Sequence, residues 1–116
     1  MRGHTKLRAF QLADEVALMV YKATRSFPKD ELYGMTAQLR RGAVSVSSNI
    51  VEGCARKGEG DYLRFLDIAY GSLCELQYQI SLAERLQYLS LEDAVPLKDK
   101  VTEASKVLSA LIRSIR

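Results

Sequence analysis

Seven apolar residues, Tyr62, Leu66, Ala69, Leu73, Leu76, Ile80 and Ala83, follow one another at spacings of four, three, four, three, four and three. Such a run keeps one side of an α-helix apolar over about six turns, and it cannot line one face of a β-strand, whose side chains alternate with a period of two. A second run of the same kind, Leu97, Val101, Ala104, Leu108, Leu111 and Ile115, extends to the end of the chain. Helices with long apolar stripes must bury them against other helices, so the two runs predict an all-α helical bundle. No segment shows the strict alternation bounded by hairpin turns that strands require.

The rest of the chain supplies two further helices. One spans about Arg8 to Ser26, buries Ala13, Val16, Ala17, Val20 and Ala23, and ends at Phe27-Pro28, where proline disfavours helix in the residue before it. Residues 1–8 in front of it, with Arg2, Lys6 and Arg8, are expected to form a loose basic arm. The other begins near Leu32 or Tyr33 and continues to about Arg56, stopping in Lys57-Gly58-Glu59-Gly60. The third helix is expected from Asp61 to about Leu86. Ser90, three residues before Asp93, resembles the N-cap of the last, although Pro96 demands either a start nearer Val95 or a kink. Connectors this short return each helix beside its predecessor, which predicts an antiparallel up-down four-helix bundle as a single domain over residues 1–116.

Several function classes find no support in the residues. The longest uncharged stretch, Gly42 to Val51, is about half of what a membrane span needs, and the first residues lack the apolar run of a signal peptide. A cytoplasmic protein without membrane contact is expected. Cys54 and Cys74 are too few for a disulfide scaffold and lack zinc-site spacing, so reduced thiols are expected. The sole histidine, His4, lies in the basic arm, far in sequence from Ser45 and Ser48; nothing suggests that Glu52 and Asp67 form a catalytic pair; and Gly58-Glu59-Gly60 lacks the lysine and hydroxyl of a phosphate loop. No catalytic residue, metal ligand or cofactor is therefore expected, and the chain does not read as an enzyme.

Charge and the second helix hold the functional signal. Residues 1–58 carry a balance of +5 and residues 59–116 one of −2, within a total of +3. Advancing about 100° per residue, the second helix places Met35, Leu39, Val46, Ile50 and Gly53 on a core face. Opposite lies a polar stripe of Arg41, Ser45, Ser48, Asn49, Glu52 and Arg56. A third face holds Arg40, Val44, Ser47, Val51 and Cys54. One bundle needs one apolar face, so Val44, Val51 and Cys54 read as an oligomer interface. The small residues of this helix, Gly42, Ala43, Ser45, Ser47, Ser48 and Gly53, suit a close approach of neighbouring helices.

Phe27-Pro28-Lys29-Asp30-Glu31-Leu32-Tyr33-Gly34, Gln38-Leu39-Arg40-Arg41, Ser48-Asn49-Ile50-Val51-Glu52-Gly53, Arg64-Phe65-Leu66 and Gly71-Ser72-Leu73-Cys74-Glu75-Leu76 occur in this order over nearly the whole chain. Together they resemble the four-helix bundle proteins encoded in intervening sequences of bacterial 23S ribosomal RNA genes. The chain departs from that pattern at Leu12-Ala13-Asp14, where an aromatic is expected, and at Ser47, where proline is usual. The resemblance implies a subunit that assembles into a homopentameric ring or barrel. It also implies kinship with the accessory variability proteins of diversity-generating retroelements, basic pentamers that bind a reverse transcriptase and nucleic acid.

Two functions follow as expectations. The first is a non-enzymatic accessory protein that binds RNA or DNA, with a reverse transcriptase as a further partner. Arg2, Lys6, Arg8, Arg40, Arg41, Arg56 and Lys57 would meet phosphates, and fivefold assembly would multiply weak contacts. The second is a protein-interaction scaffold whose basic patch meets an acidic partner and no nucleic acid.

Overall fold

The computed structural model describes residues 2–116. Four helices, α1 (Arg8–Ala23), α2 (Met35–Ala55), α3 (Glu59–Arg85) and α4 (Leu91–Ile115), are joined by short connectors, and no strand occurs among the described residues. Packing runs α1 on α2, α2 on α3, α3 on α4 and α4 back on α1, closing a four-sided bundle 43 Å long. All seven residues of the α3 run are buried. In α4 the run holds through Leu108, but Ile112 takes the final core position while Leu111 and Ile115 are half-buried. A straight helix turns every 3.6 residues, so a strict 3.5 repeat drifts off the core line over several turns. In α1 the core begins earlier than expected, at Ala9 and Leu12, and Ala17 and Ala23 are only half-buried.

Helix ends differ from the expectations for local reasons. After α1 the chain tightens into a 3-10 turn, Thr24–Ser26, which delivers Phe27 to the core. A second turn, Lys29–Glu31, delays α2 until Met35. There the Glu31 carboxylate accepts the Met35 N–H at 3.0 Å, satisfying one of the unpaired donors of the first helical turn. Its other oxygen accepts the Tyr88 hydroxyl at 2.9 Å, tying the α1–α2 connector to the α3–α4 connector. Tyr88 is set in place by the end of α3. Gln87 takes a left-handed φ of 66°, its N–H meets the Glu84 carbonyl, and the Tyr88 N–H meets that of Ala83, which closes a Schellman motif. Ser90 caps α4 by accepting the Asp93 N–H, so α4 starts at Leu91 and Pro96 lies within it.

The expectation of close helix approach is met at one glycine and not at the other. A Cβ on Gly53 would lie 3.1 Å from Phe65 Cβ and 3.3 Å from the Tyr62 carbonyl oxygen; on Gly42 it would meet only ordinary contacts at 3.5 and 3.7 Å. The two glycines therefore respond oppositely to alanine. Gly42→Ala gains helix propensity and stabilises the fold by about 0.5–1 kcal/mol. In Gly53→Ala that gain is outweighed by an overpacking cost of about 1–3 kcal/mol, giving a net loss near 1 kcal/mol. Urea unfolding of the two variants beside wild type checks both signs.

Glu31 supplies a pH-dependent contribution. The Met35 N–H, and after it the Tyr88 hydroxyl, hold its carboxyl below the ordinary value of 4.5. The folded state thus binds the proton less readily than the unfolded chain, so this stabilisation is complete above about pH 4.5 and is lost as pH falls through the lowered folded value. Glu31→Gln is accordingly less stable than wild type at neutral pH, and the gap narrows below pH 4.5; thermal melts across the acid range read it directly.

Candidate nucleic-acid interface

Alternating helix directions bring four chain segments to one end of the bundle: the residues before α1, the C-terminus of α2, the N-terminus of α3 and the C-terminus of α4. The basic arm is folded against this end and is not loose. Its Arg2 N–H donates to the Cys54 carbonyl at 3.1 Å, Arg2 Nη1 donates to the Arg56 carbonyl at 3.0 Å, and the guanidinium lies 4.0 Å from the Tyr62 ring centroid. The last carbonyls of a helix lack intrahelical partners and carry the negative end of its dipole, so a cation with spare donors is held there. Arg2 is thus committed to closing α2. The arm then makes a 3-10 turn, His4–Lys6, with His4 edge-on to Phe10.

The same fold corrects the placement of Cys54. With a fractional exposure of 1%, it sits inside the bundle and cannot form an outward oligomer face with Val44 and Val51. Cys54 lies four residues after the buried Ile50, on the inner side of α2, and burial pushes its thiol pKa up. Burial likewise raises that of the neighbouring Tyr62 phenol. Val44 stays exposed and Val51 half-buried.

Around this capped end the arginines are stacked and paired at the surface. Arg56 and Arg64 both lie over the Phe65 ring, 5.0 and 4.5 Å from its centroid. Arg56 pairs with Glu52 at 2.9 Å and Arg64 with Asp61 at 3.7 Å. Arg116 of α4 pairs with Asp67 of α3, and Arg113 lines the same shallow depression. Arg8 reaches Glu103, whereas Lys6 and Lys57 are exposed and make no ion pair among the described residues. Arg64, Arg113 and Arg116 belong to the half of the chain with negative balance, so a charge count along the sequence misses them. The signal that finds them is the up-down topology, which places the start of α3 and the end of α4 beside the end of α2.

Arg40 and Arg41 are not part of this cluster. They lie 15 or more residues before Arg56 on the same helix, about 22 Å away at 1.5 Å per residue. Arg40 is half-buried, donates from Nε to Thr24 Oγ1 at 2.9 Å and stacks 4.8 Å from the Tyr21 ring centroid. It borders an open groove of about 700 Å³ between α1 and α2, walled by Tyr21, Leu32, Tyr33 and Val44. The polar stripe of α2 is divided too. Ser45 meets α3, its Oγ lying 2.9 Å from Ser72 Oγ, and Asn49 turns back on its own helix, Nδ2 donating to the Ser45 carbonyl at 2.8 Å, so neither side chain is free for a ligand. Ser48 and Glu52 remain exposed, beside a smaller depression that includes Phe10 and Val51.

Among the described residues no helix is long and apolar enough to cross a membrane. Comparison with solved structures finds a crystal structure, at 1.70 Å resolution, of a protein of unknown function from the S23 ribosomal protein family of Bacteroides thetaiotaomicron VPI-5482. The two share 23% identity over 90% of this chain and 95% of that one, with a TM-score of 0.83, which establishes a common fold. No curated protein matches the chain. Residues 5–110 match the family described as 23S rRNA-intervening sequence protein. With that match spanning all four helices, the chain belongs to the 23S rRNA-intervening sequence protein family.

Proposed function

We propose that the chain is the subunit of a non-enzymatic homopentamer that binds structured RNA through its phosphate backbone. The observation that carries the RNA reading is the basic end of the bundle, where Arg56 and Arg64 lie over Phe65, Lys57 is exposed beside Arg56 in the chain, and Arg113 and Arg116 of α4 line a depression with Asp67 of α3. Both side chains of each ion pair there are about half exposed, and exposed pairs contribute only about 0–1 kcal/mol. A phosphate can therefore replace a carboxylate partner at little cost. Membership of a family defined by 23S rRNA intervening sequences supports RNA over DNA. Phe65 is half-buried beneath its arginines, which favours recognition of shape and backbone over base stacking. The fivefold state rests on the family resemblance and on the outward apolar residues Val44 and Val51 of α2.

A second reading, a scaffold for an acidic protein partner with no nucleic-acid role, is favoured by the apolar α1–α2 groove and its two arginines. Salt separates the two. Polynucleotide binding gives a logarithmic slope that scales with the phosphates neutralised, about 0.7–0.9 per contact.

Anisotropy titrations of a labelled RNA stem-loop across a salt series are expected to show affinity falling steeply with salt and depending little on base sequence. Arg56→Glu combined with Arg64→Glu weakens every RNA alike and lowers the slope by about 1.5, with the mass of the assembly unchanged. Absence of binding at low salt by the intact assembly would overturn the RNA reading in favour of the scaffold. Unchanged slope in an intact double variant would remove the Arg56–Arg64 end from RNA contact.

A further inference from the structure

The α1–α2 groove combines two properties that together specify an occupant. Its walls are apolar and exposed: Tyr33 is 91% exposed, and Tyr21, Leu32 and Val44 each show 40–48% of their surface. At its edge stand Arg40 and Arg41, neither of which makes an ion pair among the described residues. Arg40 is held by a hydroxyl and an aromatic ring, which orient a guanidinium without neutralising it. A segment that fits this groove presents apolar side chains with carboxylates beside them.

The chain carries such a segment. At the start of α4, Leu91 and Val95 are 69% and 46% exposed, one helical turn apart. Glu92 and Asp99 lie on the same outer face, and neither makes an ion pair among the described residues. The spacing 91, 92, 95, 99 forms a single stripe on a 3.6-residue helix. Lys98 pairs with Glu84 on the α3 side of this stripe and Glu92 lines a depression with Met19 and Lys22 on its α1 side, so the stripe runs along the outward face of α4. The stripe and the groove are separate surfaces of the bundle, since α2 and α4 occupy opposite corners of it. They also lie near the same end, where the Glu31–Tyr88 hydrogen bond joins the two connectors.

We propose that the α1–α2 groove receives the Leu91–Asp99 stripe of a second copy of this chain, with Arg40 and Arg41 facing Glu92 and Asp99 across the junction. The inference builds on the homo-oligomeric reading above and supplies its joining surfaces. A contact between two different patches is head-to-tail, and it closes into a ring when each step adds rotation with little rise. Two separate patches at one height keep that rise small. A flank 43 Å long and 20 Å wide is large enough for the roughly 800 Å² per partner that a stable interface buries. The basic end of every subunit would then face the same side of the ring, which suits a polyanion lying across it.

The test exploits the asymmetry of a head-to-tail junction. The groove variant carries Arg41→Glu and Val44→Glu; the stripe variant carries Leu91→Lys and Glu92→Lys. All four positions are exposed, and circular dichroism verifies the fold. Light scattering is expected to give an oligomer for wild type and a single-chain mass for each variant alone. An equimolar mixture of the two is expected to regain higher mass, because each intact groove meets an intact stripe and each Glu-bearing groove meets a Lys-bearing stripe. Combining all four substitutions restores charge complementarity and returns higher mass. Should a charged variant unfold, Val44→Ser and Val95→Ser carry the same mixing test. A wild-type oligomer that survives either variant overturns this inference while leaving the oligomeric reading intact. Loss of assembly with the groove variant only, or no association on mixing, assigns the groove another occupant and overturns it as well. A monomeric wild type defeats both readings, and RNA titration of that monomer then judges the basic end separately.

Discussion

Three residues separate α2 from α3 and five separate α3 from α4, and connectors of that length leave each helix no course but to return along its predecessor. Much of the rest depends on this constraint. It aligns the apolar runs of the helices into one core, and it sorts the ends of the helices into two groups. At one end the arm, the close of α2, the start of α3 and the finish of α4 collect arginines. At the other, Glu31 and Tyr88 bind two connectors together beneath exposed apolar side chains. A chain with a modest net charge thus acquires a polarity along its axis that composition does not express.

The fold was largely legible in the sequence because its main determinant is periodic. The α3 run specified every one of its buried residues. The start of α4 stayed open in the sequence between the Ser90 cap and a start nearer Val95; in the fold Ser90 caps the helix, and Pro96, whose missing N–H removes one hydrogen bond, does not end it. What the sequence did not express was longer in range. Cys54 read as outward beside Val51, yet at about 100° per residue it lies closer in angle to Ile50 than to Val51, and the fold buries it with Ile50 on the inner side of α2. Arg2 read as a free cation because nothing local shows that the arm folds back over the end of α2. In the fold it closes the C-terminus of α2 and covers Tyr62.

The candidate site was legible only in part. Arg56 and Lys57 lie where the expected basic surface is found, yet Arg40 and Arg41 stand about 22 Å off along α2 and border an apolar groove instead. Adjacent arginines on a helix diverge by about 100°, so sequence alone cannot say which is drawn under a neighbouring aromatic. Tyr21, one helix away, decides it for Arg40. The seryl stripe illustrates the converse: Ser45 and Asn49 resemble a binding surface in one dimension, whereas in three Ser45 meets Ser72 of α3 and Asn49 bonds back to Ser45.

The central claim is that the two ends of the bundle do different work, one meeting polyanion and the other meeting a neighbouring subunit. Hydrogen exchange of the wild-type protein, recorded with and without RNA and at high and low protein concentration, tests it most directly. The account predicts that RNA slows exchange around residues 56–64 and at the end of α4, whereas dilution speeds exchange around residues 32–44 and 91–99. RNA-dependent protection centred on residues 32–44, with residues 56–64 unchanged, would contradict it.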